Sequence, residues 1–251
     1  MIFYMAEAKA QEKPEEEKPH PAFNIVDSVN SDLCKMSVFE TIATRRSIRK
    51  YTSQDVPMEL IGIILDAGRY APSSGNLQNW RFIIFRDSGN RQRIAEACQQ
   101  QLWIAEAPFI IVVVSEMEKI TQFYGVRGER LYSVQNCAAA TQNMILTAHS
   151  LGLASCWISA FDEDMLKRAC SLPGDIRPQA VLPIGYPDEI VPAPSRYTME
   201  NVTYHEAYGN RVTNFERVLQ NPLVFDKISR LIGGFVEAGK DVMNFKKKKE
   251  E

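Results

Sequence analysis

Histidine and cysteine are scarce in this chain. Three histidines, His20, His149 and His205, are too few for a histidine-rich metal site. The five cysteines, Cys34, Cys98, Cys137, Cys156 and Cys170, form no C-x-x-C pair, no zinc-ligand spacing and no disulfide framework. Free thiols in this number suit a reducing compartment. Three phosphate and nucleophile signatures are also missing. No G-x-G-x-x-G follows a strand, and there is neither G-x-x-x-x-G-K-[ST] nor G-x-S-x-G. A nicotinamide nucleotide, if used, is therefore a visiting substrate. Charge of one sign is lacking as well: the formal net charge is −2, so no global field draws in nucleic acid or membrane. The longest strongly apolar run, Phe109–Val114, falls far short of a membrane span. The first five residues carry no cationic region ahead of their short apolar stretch, so no secretory signal is read there and a cytoplasmic location is expected.

What remains is ordinary globular material: 251 residues, 45% hydrophobic and 24% charged, long enough for a substantial core. Residues 1–36 read as a disordered or extended tail, with Glu15-Glu16-Glu17 set between prolines. Residues 37–210 read as the folded domain. Residues 211–251 read as a helical extension, in pieces over 212–240, ending in the lysine run Lys246–Lys249.

Inside the domain, helical and strand patterns mix, which argues for an α+β or α/β fold. Ser37 with Glu40 has the spacing of a capping box and opens a short helix to Thr44. Met58–Tyr70, Arg91–Gln101, Leu131–Ser150 and Glu163–Ala169 read as further helices. Trp80–Arg86, Pro108–Ser115, Ala154–Ser159 and Ala180–Gly185 read as strands, the second of the kind buried on both faces. The long helix carries Leu131, Val134, Ala138, Thr141, Ile145 and Ala148 on one stripe, widened by Cys137, Ala139, Ala140 and Met144. A helix apolar nearly all round is buried. A second subunit or the interior of a monomer would satisfy it, and the sequence alone favours the monomer.

Two segments carry the chemistry. Residues 45–49 are Arg-Arg-Ser-Ile-Arg. In extended chain, side chains at i, i+2 and i+4 point the same way, so Arg45, Ser47 and Arg49 share a side, with Arg46 opposite. Forked guanidinium donors match two phosphate oxygens at once. Taken alone, such a cluster is as often a solvated basic loop. Residues 71–80, Ala-Pro-Ser-Ser-Gly-Asn-Leu-Gln-Asn-Trp, form a turn rich in hydroxyl and amide groups that runs into an apolar strand. Its Pro72, Ser73, Ser74 and Asn76 offer the donors and acceptors that a ring with carbonyl and imide edges needs. A planar ligand with a phosphate tail would use both segments, and that is a flavin mononucleotide. Cys156, beside Trp157 and without a nearby His or acid, reads as a packing thiol. His149 and His205 read as structural or exposed.

These segments resemble those of the FMN-dependent nitroreductase superfamily, in order and in spacing. The likeness runs from about Val38 to Tyr204. It includes Leu-Gly-Leu-Ala-Ser-Cys-Trp-Ile at 151–158, Ile-Gly-Tyr-Pro at 184–187 and the stretch around Arg196. The resemblance implies an α+β sandwich, a mostly antiparallel sheet flanked by helices, paired into an intertwined homodimer with an FMN at each interface site. It implies that Arg45, Ser47 and Arg49 hold the phosphate and ribityl side, with Arg196 returning to the phosphate. Pro72, Ser73, Ser74 and Asn76 would come from the other subunit to line the isoalloxazine. Backbone near Ser159 and Ala160 would face the flavin N5 edge, and Gly185 would permit close backbone approach. The implied activity is a ping-pong transfer of hydride from NADH or NADPH to a small organic acceptor such as a nitroaromatic or a quinone. Reductive dehalogenation or a non-catalytic flavin sensor are the alternatives. Chemistry on the flavin requires no side-chain nucleophile and no metal. Glu116–Arg130 falls where the family varies its substrate lid. One departure stands out: members often carry Gln-Pro-Trp where this chain has Gln78-Asn79-Trp80.

Overall fold

The computed structural model describes residues 36–212. They divide into one unit that ends at Ala193 and a second that begins at Pro194. The first unit opens with helix α1, Val38–Thr44. Ser37 Oγ accepts the Glu40 N–H at 3.2 Å and Glu40 Oε2 accepts the Ser37 N–H at 3.3 Å, so both halves of the expected capping box are made. Helix α2 runs over Met58–Arg69, and a one-turn helix over Ser74–Asn76 leads into strand β1, Trp80–Phe85. Asp87 caps α3, Ser88–Ala97, by accepting the Asn90 N–H. This helix starts and ends earlier than its apolar pattern suggested, because an N-cap outranks periodicity at a helix start. Strand β2 is Phe109–Glu116, and helix α4 is Met117–Arg127 with a break at Gly125. After a five-residue π turn comes α5, Ser133–Ser150. Strand β3 is only Ala154–Ser155, helix α6 is Glu163–Ala169 and strand β4 is Ile176–Gly185. The longer strand expected at 154–159 is not continuous: Ile158 forms a separate bridge to Val181.

The four strands lie in the order β1-β2-β4-β3, every neighbouring pair antiparallel. Val113 pairs with Ala180 and Val114 with Pro178, so Gln179 is an extra residue that bulges β4 beside a proline. Alternate residues of β2 feed two cores. Phe109, Ile111 and Val113 pack with Ile61 and Ile64 of α2 and with Cys137, Ala140 and Met144 of α5. Ile110, Val112 and Val114 pack with Ile94 and Ala97 of α3 and with Leu166 of α6. Helices thus cover both faces of an antiparallel sheet, an α+β sandwich, and β2 is apolar from Phe109 to Val114 for that reason.

Helix α5 is buried, as its composition required, along a line that keeps Thr141, Ile145 and Ala148 of the expected stripe. Its buried line is Ser133, Asn136, Cys137, Ala140, Thr141, Met144, Ile145 and Ala148, while Val134 is exposed. Alanine on every side leaves the phase of such a helix unmarked.

In the second unit, α7 spans Met199–Val202, Tyr204 bridges Arg211, and the Tyr204 and Tyr208 rings lie 4.7 Å apart. The expected tail, apart from Met36, and the helical extension beyond Val212 lie outside the described residues.

Candidate flavin site

The Arg-rich segment is extended, as expected. Ser47 bridges Ser155 in β3, the Ile48 N–H donates to the Ser155 carbonyl at 3.2 Å, and Tyr51 bridges Pro187. Ile48 and Tyr51 point inward and are buried. The Tyr51 hydroxyl donates to the Ile48 carbonyl at 2.7 Å and lies 3.3 Å from the Pro183 carbonyl. Burial raises that phenol well above its ordinary pKa, so it stays protonated. Glu189 ties the next loop to the segment by accepting the Arg49 and Lys50 N–H groups at 2.6 and 3.2 Å.

Arg45 and Ser47 are half-buried, Arg49 is exposed with its guanidinium 5.9 Å from the Trp103 ring centroid, and the Cys156 thiol is buried. Ser47, Arg45 and Arg49 favour the ionised thiol. Burial outweighs these and raises the thiol pKa, so Cys156 is the inert packing group its sequence context suggested. Burial also pushes Cys98, Cys137 and Cys170 up to about 12.

Arg45 and Arg46 line a cleft of about 400 Å³ together with Thr44, His149, Gly152 and Glu189. The Arg46 guanidinium is turned back onto the end of α1, donating to the Ala43 and Arg45 carbonyls. Thr44 Oγ1 donates to the Glu40 carbonyl at 2.7 Å, so the 2.8 Å contact with His149 Nε2 is a hydrogen bond donated by the imidazole. Partial burial, then Arg45 and Arg46, lower the His149 pKa and favour its neutral form. The cleft thus brings two arginines and one glutamate beside a histidine whose neutral form is favoured.

The second segment forms its turn with three residues in the left-handed region: Gly75, Asn76 and Gln78. Ser73 and Ser74 are half-buried, and Pro72 and Asn76 are exposed. Ser74 donates its N–H and its hydroxyl to Asn136 Oδ1, at 3.0 and 3.2 Å. The Tyr124 hydroxyl of α4 lies over the turn, where a β-carbon on Gly75 would meet it at 2.5 Å. Tyr124 stacks edge-on against Tyr132, which accepts a bond from Arg127 Nε. The Glu116–Arg130 segment is thereby brought beside the turn.

The two segments do not share a cleft within one chain. Asn76 lines another, of about 840 Å³, with Asp66, Arg69, Trp80, Arg81 and Lys119. Ser159 and Ala160 are exposed, and Ser159 Oγ accepts the Trp157 indole N–H at 2.9 Å. Gly185 is buried at the end of β4. Its missing side chain admits Pro108 and Tyr51, so the close approach it permits is internal packing. Arg196 is exposed in the second unit. Among the described residues, no three His, Cys, Asp or Glu side chains are grouped to hold a metal ion, and no helix is long and apolar enough to cross a membrane.

The model of the Nitroreductase family matches residues 42–106 and 100–186, more than half of the chain. This chain belongs to the nitroreductase family. A Methanothermobacter thermautotrophicus protein with the provisional name NADH dehydrogenase/NAD(P)H nitroreductase is 39% identical to it over 167 residues, 64% of this chain and 83% of that protein. The NAD(P)H FMN reductase of Bacillus subtilis is 28% identical over 187 residues, 69% of this chain and 75% of the reductase. The crystal structure of a nitroreductase family protein from Clostridium difficile 630 superposes with a TM-score of 0.60 at 28% identity. It covers 68% of this chain and 99% of that one.

In this nitroreductase-family chain, sequence reasoning missed Asn136, Ser115, Glu189 and the contact of Tyr124 with Gly75. Asn136 had one visible signal, an amide on the buried line of α5. Glu189 had none, since a carboxylate 140 residues from its backbone partner cannot be placed by spacing.

Proposed function

We propose that this protein is an FMN-dependent oxidoreductase. It takes hydride from NADH or NADPH and reduces a small organic acceptor, such as a nitroaromatic or a quinone, in a ping-pong exchange. One observation carries the reading: Arg45 and Arg46 line a cleft of about 400 Å³ against a single acid, Glu189, with the nearby imidazole favoured in its neutral form. That is a place for an anion, and the donors present fit a phosphate monoester. Bound FMN supplies the ring that accepts hydride and passes it on. The chain supplies position and charge. Arg45, Ser47 and Arg49 hold the phosphate and ribityl side, with Arg46 behind them. Backbone near Ser159 and Ala160 faces the N5 edge, where a backbone N–H favours negative charge. Pro72, Ser73, Ser74 and Asn76 of the partner subunit line the ring. The raised pKa values of the four described thiols fit a site without a protein nucleophile.

The working unit in this reading is a homodimer. The two polar segments line separate clefts of one chain, so one flavin needs a segment from each of two. Val38, Phe39 and Ile42 on α1 are 72, 81 and 54% exposed, an apolar face of the kind that a second copy covers. The free thiols suit the cytoplasm. The test is direct. Freshly purified protein should be yellow, with flavin absorbance that bleaches under anaerobic NADH or NADPH and returns when an acceptor is added. Folded protein that is colourless and takes up no added FMN refutes the proposal. Bleaching with no return for any acceptor favours the sensor.

A further inference from the structure

Beneath the Ser73–Asn76 turn runs a single file of polar side chains: Ser74, Asn136, Asn79 and Ser115. The last three are buried. Burying such groups is costly unless each is paired. Here each is, and the order of donors is forced. The Ser74 backbone N–H can only donate, so the Asn136 atom 3.0 Å away is the carbonyl oxygen. That oxygen can only accept, so the Ser74 hydroxyl also donates, at 3.2 Å. Asn136 Nδ2 must then donate to Asn79 Oδ1, at 2.7 Å. Asn79 Nδ2 must in turn donate to Ser115 Oγ, also at 2.7 Å. The file is polarised from the turn into the core.

We propose that Asn136 and Asn79 are positioning residues for the flavin-facing turn. They fix Ser74 so that its one hydroxyl proton points inward and only lone pairs remain for a ligand. Ser74 then presents an acceptor, the group that an N–H on the edge of a flavin ring requires. The inference rests on the FMN reading above. Asn79 gives the departure from Gln-Pro-Trp a physical role: proline carries no amide and would leave Asn136 Nδ2 and Ser115 Oγ without this partner. Three residues of left-handed backbone in the turn explain why an external brace is needed.

FMN dissociation constants and the visible circular dichroism of the bound flavin, measured for the full chain and its variants, test this. Asn136→Ala should weaken FMN by about tenfold or more, since it removes both bonds to Ser74, and should alter the flavin dichroism. Asn136→Asp keeps an oxygen for Ser74, and the Asn79 amide turns over to donate to it. This variant should stay within about threefold of wild type. Thr141→Val is the control. It lies on the same buried line of α5, its hydroxyl has no partner, and it should leave FMN affinity unchanged. Asn136→Ala binding FMN like wild type overturns the inference, as does Asn136→Asp falling as far as Asn136→Ala. Should Asn136→Ala fail to fold, hydrogen exchange in wild-type protein decides. The Ser74 amide should exchange about a hundredfold more slowly than that of Gly75 beside it, and equal rates overturn the inference. Wild-type protein that binds no FMN at all would instead sink the flavin reading itself.

Discussion

Replacing Gly185 by alanine measures how tightly the cationic segment is clamped to the sheet. A β-carbon there would stand 2.5 Å from Pro108 Cδ, 3.0 Å from Pro108 Cγ and 3.2 Å from Tyr51 Cδ1. The pyrrolidine ring cannot swing aside. Tyr51 is held by its bonds to the Ile48 and Pro183 carbonyls. With no flexible side chain to give way, backbone must move. Overpacking costs about 1–3 kcal/mol, and two rigid neighbours put this site near about 3 kcal/mol. At about 2–4 °C per kcal/mol for a chain of this size, the melting temperature should fall by about 6–12 °C. Tyr51 anchors the stretch that carries Arg45 to Arg49, so FMN binding should weaken as well. Thermal unfolding by circular dichroism and a flavin fluorescence titration measure the two effects. Gly62→Ala is the matched control. Its β-carbon meets nothing within 4 Å inside α2, and it should stabilise by about 0.5–1 kcal/mol. A Gly185→Ala protein melting within about 2 °C of wild type would refute the clamp, being less than 1 kcal/mol on the same scale.

Three further predictions concern the cleft and its support. Arg45→Ala removes a charge-assisted bond to phosphate worth about 1.5–3 kcal/mol, so the FMN dissociation constant should rise by about 10–150-fold; stoichiometric flavin surviving dialysis would contradict that role. Tyr51→Phe leaves the Ile48 carbonyl without its donor and should cost about 1–3 kcal/mol in urea unfolding; wild-type stability would show that this bond does not matter. His149 has a folded pKa below its ordinary 6.5, first through burial and then through Arg45 and Arg46. Below that ordinary value the unfolded chain takes up a proton that the folded chain resists, so stability falls as pH drops through 6.5 and levels off below the folded pKa. His149→Gln should lose this component, seen as a shallower decline in unfolding free energy from pH 7.5 to 5.5. An identical decline in both proteins would rule His149 out.

Much of the fold was legible because its signals are local. The capping box of α1 needs only Ser37 and Glu40, and β2 needs only an unbroken apolar run. The extended Arg-rich segment announced itself by residue type, and its backbone does run extended beside β3 with Ile48 turned inward. The readings that drifted were those with no local marker. The stripe on α5 was phased only in part, Val134 being exposed, because alanine surrounds the helix. The strand at 154–159 shrank to two residues because its pairing is set by where β4 ends.

The sequence by itself determined the element types, the two polar segments and the nitroreductase resemblance, since each follows from short-range sterics and side-chain chemistry. Only the tertiary structure decided what holds those segments. The brace on Ser74 comes from Asn136, 62 residues away, and Asn136 in turn leans on Asn79 at a separation of 57. Hydrogen bonds of that span exist only once the sheet and α5 have packed, and no periodicity or spacing along the chain encodes which buried amide meets which turn.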